Sequence, residues 1–177
     1  MKGIYLGACK ANHPNYNIVY QDINGKRDMD GDMLQVNLEP YDYIICTPPC
    51  NYYSKANCNI YSDYSTKTKH ILPCSIIKLA ESNRPFIIEN VINRKRFHAM
   101  GIYQLAEYYS LKVFEHGRHT YITNVTFEYK DIPQTQDFKY GGKYIGKDGY
   151  HQGGMNVYLV IEAFLKEVTK GGEYDED

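Results

Sequence analysis

The stretch Tyr43-Ile44-Ile45-Cys46-Thr47-Pro48-Pro49-Cys50 restricts the fold of this chain more than any other. A short apolar run that stops at turn residues is the pattern of a buried strand. The two prolines fix the backbone and remove two amide donors, so neither strand nor helix continues past them. Cys50 is thereby held at the carboxyl end of a buried strand. In open α/β sheets ligands bind in the crevice beyond those ends. Cys50 is accordingly a candidate nucleophile.

Other elements are expected around this strand. Gly3 to Cys9 and Asn17 to Asp22 read as short strands, and the Pro/Asn-marked segment between them is too short for a good helix. Asn24 to Asp32 reads as a polar loop, and so does Lys55 to Tyr64, which is expected to be mobile. Between Thr68 and Ser82, Ile71, Leu72, Ser75, Ile76, Leu79 and Ala80 fall largely on one helical face. Pro85 to Val91 is a second apolar run, and it ends at a carboxylate, Glu89. Met100 to Tyr109 is expected to be helical, and Leu111 to Glu115 and Thr120 to Tyr129 are rich in β-formers. Asp131 to Tyr150 reads as loop. Val157, Val160, Ile161, Phe164, Leu165 and Val168 follow the i, i+3, i+4 spacing of an amphipathic helix. This order predicts an α/β fold: a central, mostly parallel sheet flanked by helices. One domain is expected over residues 1–170, with an acidic tail at 171–177.

Charge and cysteine usage narrow the function. A net charge of −1 supplies no global field for nucleic acid, so any polyanion contact must come from a local patch. Five cysteines is an odd number in a chain whose start lacks a secretory pattern, which predicts a reducing, intracellular (cytoplasmic) setting. No run approaches the ~18 apolar residues of a membrane span.

Cys50 and Glu89 each follow an apolar run, with a helix expected between them. That is a βαβ unit, whose crossover makes the two strands parallel and points both carboxyl ends the same way. A thiol nucleophile beside a partly buried carboxyl suits attack on a ring carbon with protonation of a ring nitrogen. Against this stand two structural readings: a small buried thiol, and a carboxylate that caps the next turn.

These residues carry a resemblance. Thr47-Pro48-Pro49-Cys50-Asn51-Tyr52-Tyr53-Ser54 resembles the Pro-Pro-Cys-x-x-x-Ser motif of the DNA (cytosine-5) methyltransferases. Phe86-Ile87-Ile88-Glu89-Asn90-Val91 resembles their Glu-Asn-Val motif, in the right order. Gly117-Arg118-His119-Thr120-Tyr121-Ile122 is similar to the family's Arg-x-Arg strand, with Arg118 at the first arginine and Thr120 at the second. Gln152-Gly153-Gly154-Met155-Asn156-Val157 resembles the C-terminal Gly-Asn-x-Val segment. The resemblance spans roughly residues 30 to 168.

It implies a Rossmann-like, S-adenosylmethionine-dependent fold acting on DNA. Cys50 would attack C6 of a flipped cytosine while Glu89 engages N3 and the exocyclic amine; the methyl group then goes to C5. Pro48 and Pro49 would stiffen the loop, Ser54 would complete the motif, and Asn90 would orient the proline turn. Arg118 would sit by the base or the thiol and favour the thiolate. Gly7, Asp22, Asp32 and Asn156 would hold the cofactor: Asp22 through the ribose hydroxyls, Asp32 through adenine.

The sequence departs from the family in two places. The family's Phe-x-Gly-x-Gly opening is represented by Gly7 alone, with almost no helix after it. Its recognition domain is replaced by residues 126–150, where Lys130, Lys139, Lys143 and Lys147 with Tyr140, Tyr144 and Tyr150 could contact phosphate and bases. Specificity would otherwise come from a second subunit or self-association. Two alternatives stand beside the enzyme. One is a non-catalytic or partner-dependent relative that binds cofactor weakly. The other is a zinc module built from Cys46, Cys50, Cys58, His70 and Cys74, although three, seven, eleven and three intervening residues match no usual paired spacing.

Overall fold

A computed structural model describes residues 1–54, 61–129 and 152–170, with only the backbone for 152–156. The strands are β1 (Gly3–Leu6), β2 (Ile18–Asp22), β3 (Met29–Asp30), β4 (Tyr43–Cys46), β5 (Phe86–Val91), β6 (Lys112–His116) and β7 (His119–Thr123). The helices are α1 (Asp63–Thr68), α2 (Ile71–Glu81), α3 (Arg94–Ala99), α4 (Ile102–Tyr108) and α5 (Gln152–Thr169), with a 3-10 turn at Met33–Gln35. The mixed, mostly parallel sheet expected from the sequence is present, in the order β3-β2-β1-β4-β5-β7-β6. The first five strands are parallel, and β7 runs antiparallel to both of its neighbours.

Strand alternation sends successive side chains to opposite faces, and each face is covered. Ile44, Cys46, Phe86 and Ile88 pack with Leu72, Ile76 and Leu79 of α2 and with Phe97, Ile102 and Ala106 of α3 and α4. Tyr43, Ile45 and Ile87 pack on the other face with Val160, Ile161, Phe164 and Leu165 of α5. Both expected amphipathic helices therefore bury the stripe read from their spacing. Phe127 and Tyr129 also pack on the α5 side, so the segment after β7 begins against the core.

Several expectations need correction. Lys55 to Tyr64 is not wholly loop: α1 starts at Asp63, its N-cap Ser62 accepting from Ser65 N. Asn24 to Asp32 holds the two-residue strand β3, and α3 lies where no helix was expected. Arg118 is not on a strand. It is the second residue of the two-residue turn Gly117-Arg118 joining β6 to β7, where Gly117 adopts φ +60° as a primed hairpin turn requires. Residues 55–60, residues 130–151 with their lysines and tyrosines, and residues 171–177 lie outside the described residues. Among the described residues no helix is long and apolar enough to cross a membrane.

Ala8 to Asn17 contains no helix, and one buried polar cluster ties this connection to α5. His13, 1% exposed, hydrogen-bonds through Nδ1 to Glu162 Oε1 at 2.7 Å and stacks on Tyr158 at 4.6 Å. Its backbone N–H donates to the Tyr20 hydroxyl at 2.7 Å. Burial lowers the His13 pKa from its ordinary 6.5, although Glu162 pulls the other way. The folded protein therefore resists protonating this ring. The stability contributed by the neutral ring is complete above pH 6.5 and is lost as pH falls through the lower folded value. His13→Phe should lose less thermal stability than the wild type between about pH 7 and about pH 5. Equal losses in melting experiments would remove His13 from this role.

Candidate active site

Parallel pairing fixes which turns meet. Gly3 pairs with Tyr43 and Leu6 with Cys46, so the turns after β1 and β4 leave the sheet side by side. Cys46 pairs with Ile88, so continuing that register sets Pro48 opposite Asn90. The sheet order reverses between β1 and β4, which is where open α/β sheets form their crevice.

The turn carrying Cys50 is held from both neighbours. On the β1 side, Thr47 N donates to Leu6 O at 2.9 Å and its hydroxyl to Gly7 O at 2.6 Å. On the β5 side, Asn90 Nδ2 donates to Pro48 O at 3.0 Å and Asn93 Nδ2 to Tyr53 O at 2.8 Å. Arg96 Nη1 donates to Tyr52 O, and to Ser54 O at 3.0 Å. Within the turn, the amides of Tyr53 and Ser54 both donate to Cys50 O, at 2.9 and 2.7 Å. The Tyr53 ring is fully buried and meets Phe97 edge-on at 5.4 Å. Pro48 is buried, Pro49 and Ser54 are half-buried, and Cys50 is exposed. A rigid, hydrogen-bonded turn thus offers one thiol at the surface of the crevice.

Glu89 reaches the same region from β5. Its carboxylate acts on the Cys50 thiol, which partial burial first and Glu89 second raise above the ordinary 9.0. Arg118, expected to favour the thiolate, instead lies exposed in the hairpin turn, where its carbonyl accepts from Ile92 N at 2.9 Å.

His119, which was not singled out in the sequence, is the partner of Glu89. Glu89 faces Tyr121 across the β5–β7 ladder, and His119, two residues along β7, projects from the same face. His119 Nδ1 hydrogen-bonds to Glu89 Oε1. Glu89 Oε2 has no partner among the described residues, so one oxygen is anchored and the other is open to a ligand. The available signal was the Gly-Arg turn, which starts β7 at His119. Thr120, expected at the second arginine position, is buried against Asn90, and its hydroxyl has no partner among the described residues.

The cofactor candidates line the other half of the same sheet edge. Gly7 has φ +68°, and an added Cβ would come within 2.5 Å of Thr47 O and 2.7 Å of Met33 Cε. Glycine is thus required by the close approach of the Cys50 turn. Gly7 N–H donates to Oε1 of buried Gln21 at 3.1 Å, and Gln21 Nε2 donates to Gly31 O. Gln21, also missed in the sequence, joins the turns after β1 and β3. Asp22 ends β2 and accepts from Ile23 N at 2.8 Å. Asp32 caps the 3-10 turn, its Oδ1 accepting from Leu34 N at 2.9 Å. The Asn156 side chain lies outside the described residues.

The zinc arrangement does not form from the residues described. Cys46 is fully buried in the sheet core, and burial pushes its thiol up to about 12. Cys74 is half-buried on α2, His70 is exposed, and Cys58 lies outside the described residues. Among the described residues no group of three or more histidine, cysteine or acidic side chains could hold a metal.

No protein-family model matches the sequence, and no curated protein matches it significantly. If Cys50 and Glu89 share one crevice, alkylation of Cys50 followed by peptide mass spectrometry should titrate with a midpoint above 9.0. Glu89→Gln removes the nearby negative charge and should move that midpoint down. An unchanged midpoint would separate the two groups.

Proposed function

We propose that this protein is a DNA cytosine-5 methyltransferase acting through Cys50 and Glu89. The observation that carries the reading is that one hydrogen bond, Asn90 Nδ2 to Pro48 O, joins the two strand ends bearing these side chains. An exposed thiol within electrostatic reach of a half-buried carboxyl is a pair matched to a pyrimidine ring. The Pro-Pro-Cys and Glu-Asn-Val motifs supply the substrate class.

In this mechanism the Cys50 thiol loses its proton and Sγ bonds to C6 of a cytosine turned out of the duplex. Glu89, carrying a proton on Oε2, donates it to N3 while His119 fixes Oε1, so the negative charge developing in the ring as Sγ adds at C6 is neutralised there. C5 would then take the methyl group, whose carrier leaves as a neutral thioether. Loss of the C5 proton to water, with return of the N3 proton to Glu89 and cleavage of the Sγ–C6 bond, would release the thiolate. Pro48, Pro49 and the hydrogen bonds from Asn90, Asn93 and Arg96 keep the thiol near its attack geometry.

S-adenosylmethionine supplies an electrophilic methyl group. The residues present fit it as far as donors and acceptors go: Asp22 offers a carboxylate to a vicinal diol, and Asp32 keeps Oδ2 for an amine while Oδ1 caps the 3-10 turn. A second reading, a relative dependent on a partner for cofactor binding, is favoured by the helix-free connection from β1 to β2. Recognition of a target sequence is left to the segment from residue 130 or to a partner chain.

Incubation of unmethylated DNA with S-adenosylmethionine, followed by nucleoside mass spectrometry, should yield 5-methylcytosine. Cys50→Ala should give none, and Glu89→Gln should be slower by about 10²–10⁴-fold. Equal product from Cys50→Ala would sink the mechanism. No product, together with no thermal shift on adding cofactor, would favour the second reading.

A further inference from the structure

Away from the Cys50 turn, two segments beside β2 converge on a cavity of about 910 Å³. Cys9 and Lys10 line it from the connection after β1, Lys26, Arg27 and Asp28 from the connection between β2 and β3, and Tyr20 from β2 itself. Three cations therefore face one carboxylate. That carboxylate is engaged: Asp28 Oδ2 accepts from Tyr20 N at 2.9 Å. In a chain of net charge −1, composition does not account for such a grouping.

The cationic wall is organised rather than loose. The Arg27 guanidinium lies 4.4 Å over the Tyr20 ring, and Nη2 donates to Ala11 O at 2.7 Å, tying the two connections together. The ring is held in turn, because the Tyr20 hydroxyl accepts from His13 N. Arginine carries five N–H donors in a fixed fork, and here only one has a partner among the described residues. Lys10 and Lys26 are exposed and have no hydrogen-bond or ion-pair partner among the described residues. An anchored planar fork beside two exposed ammonium groups matches the several oxygens of a phosphate.

We propose that this cavity is a phosphate-binding site, distinct from the crevice of Cys50 and Glu89; only its assignment to DNA rests on the proposed function. The phosphate has two possible sources: a phosphodiester of a bound DNA strand, or a free phosphate ion. The Cys9 wall starts two residues past Gly7, whose backbone lies against Thr47 O of the Cys50 turn, so the cavity neighbours the sheet edge that carries that turn.

The test compares wild type with the double variant Lys10→Gln/Lys26→Gln, whose exposed positions leave the core intact. Calorimetry with inorganic phosphate probes one source. Binding of a short DNA duplex across a series of salt concentrations probes the other. Loss of phosphate affinity by about tenfold or more with unchanged DNA binding would support the site and assign it to free phosphate. A salt slope shallower by roughly 1 to 2 would support it and assign it to a DNA phosphodiester, since each lost phosphate contact removes about 0.9. Two outcomes would overturn the proposal: identical behaviour of variant and wild type with both probes, or no binding of either probe by the wild type.

Discussion

The hydrogen bond from Asn90 to the Pro48 carbonyl is the constraint on which the rest of the site depends. The two prolines carry no N–H, so the turn makes fewer backbone hydrogen bonds of its own and is held by donors from elsewhere. The end of β5 supplies the donors in sequence: Asn90 for Pro48, Asn93 for Tyr53, and Arg96 for Tyr52 and Ser54. Asn93 serves twice, since its Oδ1 also caps α3 by accepting from Arg96 N. The same short segment therefore starts a helix and fixes the loop that carries the thiol. Without it, Cys50 would sit on an exposed turn with few fixed neighbours.

Parallel strands make this economy possible. Because β1, β4 and β5 all point their carboxyl ends one way, Gly7, Thr47 and Asn90 arrive side by side without long loops. The close approach at Gly7 then couples the two halves of the edge, for the atom that excludes a Cβ there is a carbonyl of the Cys50 turn. The antiparallel strand β7 adds what the parallel strands lack. It returns His119 onto the face of Glu89 and fixes one carboxylate oxygen, while Tyr121 behind it stays buried.

The legible parts of the fold and site were those encoded locally. Apolar runs closed by turn residues gave β4 and β5, and the i, i+3, i+4 spacing gave α2 and α5. Cys50 and Glu89 could be named because each directly follows such a run. His119 and Gln21 could not, because their roles arise from pairing across the sheet and from a turn distant in sequence. Arg118 was misplaced for a different, local reason: the resemblance set it on a strand, whereas Gly117-Arg118 forms the hairpin turn between β6 and β7. The short helices α1 and α3 carry too few apolar residues for a periodic signal, and their N-caps, Ser62 and Asn93, are the only local marks. The His13–Glu162 contact joins residues 149 apart and has no local trace at all.

The thiol itself poses the remaining chemical demand. Burial and Glu89 both hold the Cys50 thiol above its ordinary value, so in the proposed reaction its ionisation has to accompany substrate binding. In that proposal a base that engages Glu89 would offset the effect of its carboxylate on the thiol. The most direct measurement is intact-mass analysis after incubation with S-adenosylmethionine and DNA containing 5-fluorocytosine, whose C5 fluorine blocks the final elimination. A protein–DNA adduct mapped to Cys50, and absent from Cys50→Ala, is the expected result. No adduct, or one that persists in Cys50→Ala, would contradict the assignment of Cys50 as the nucleophile.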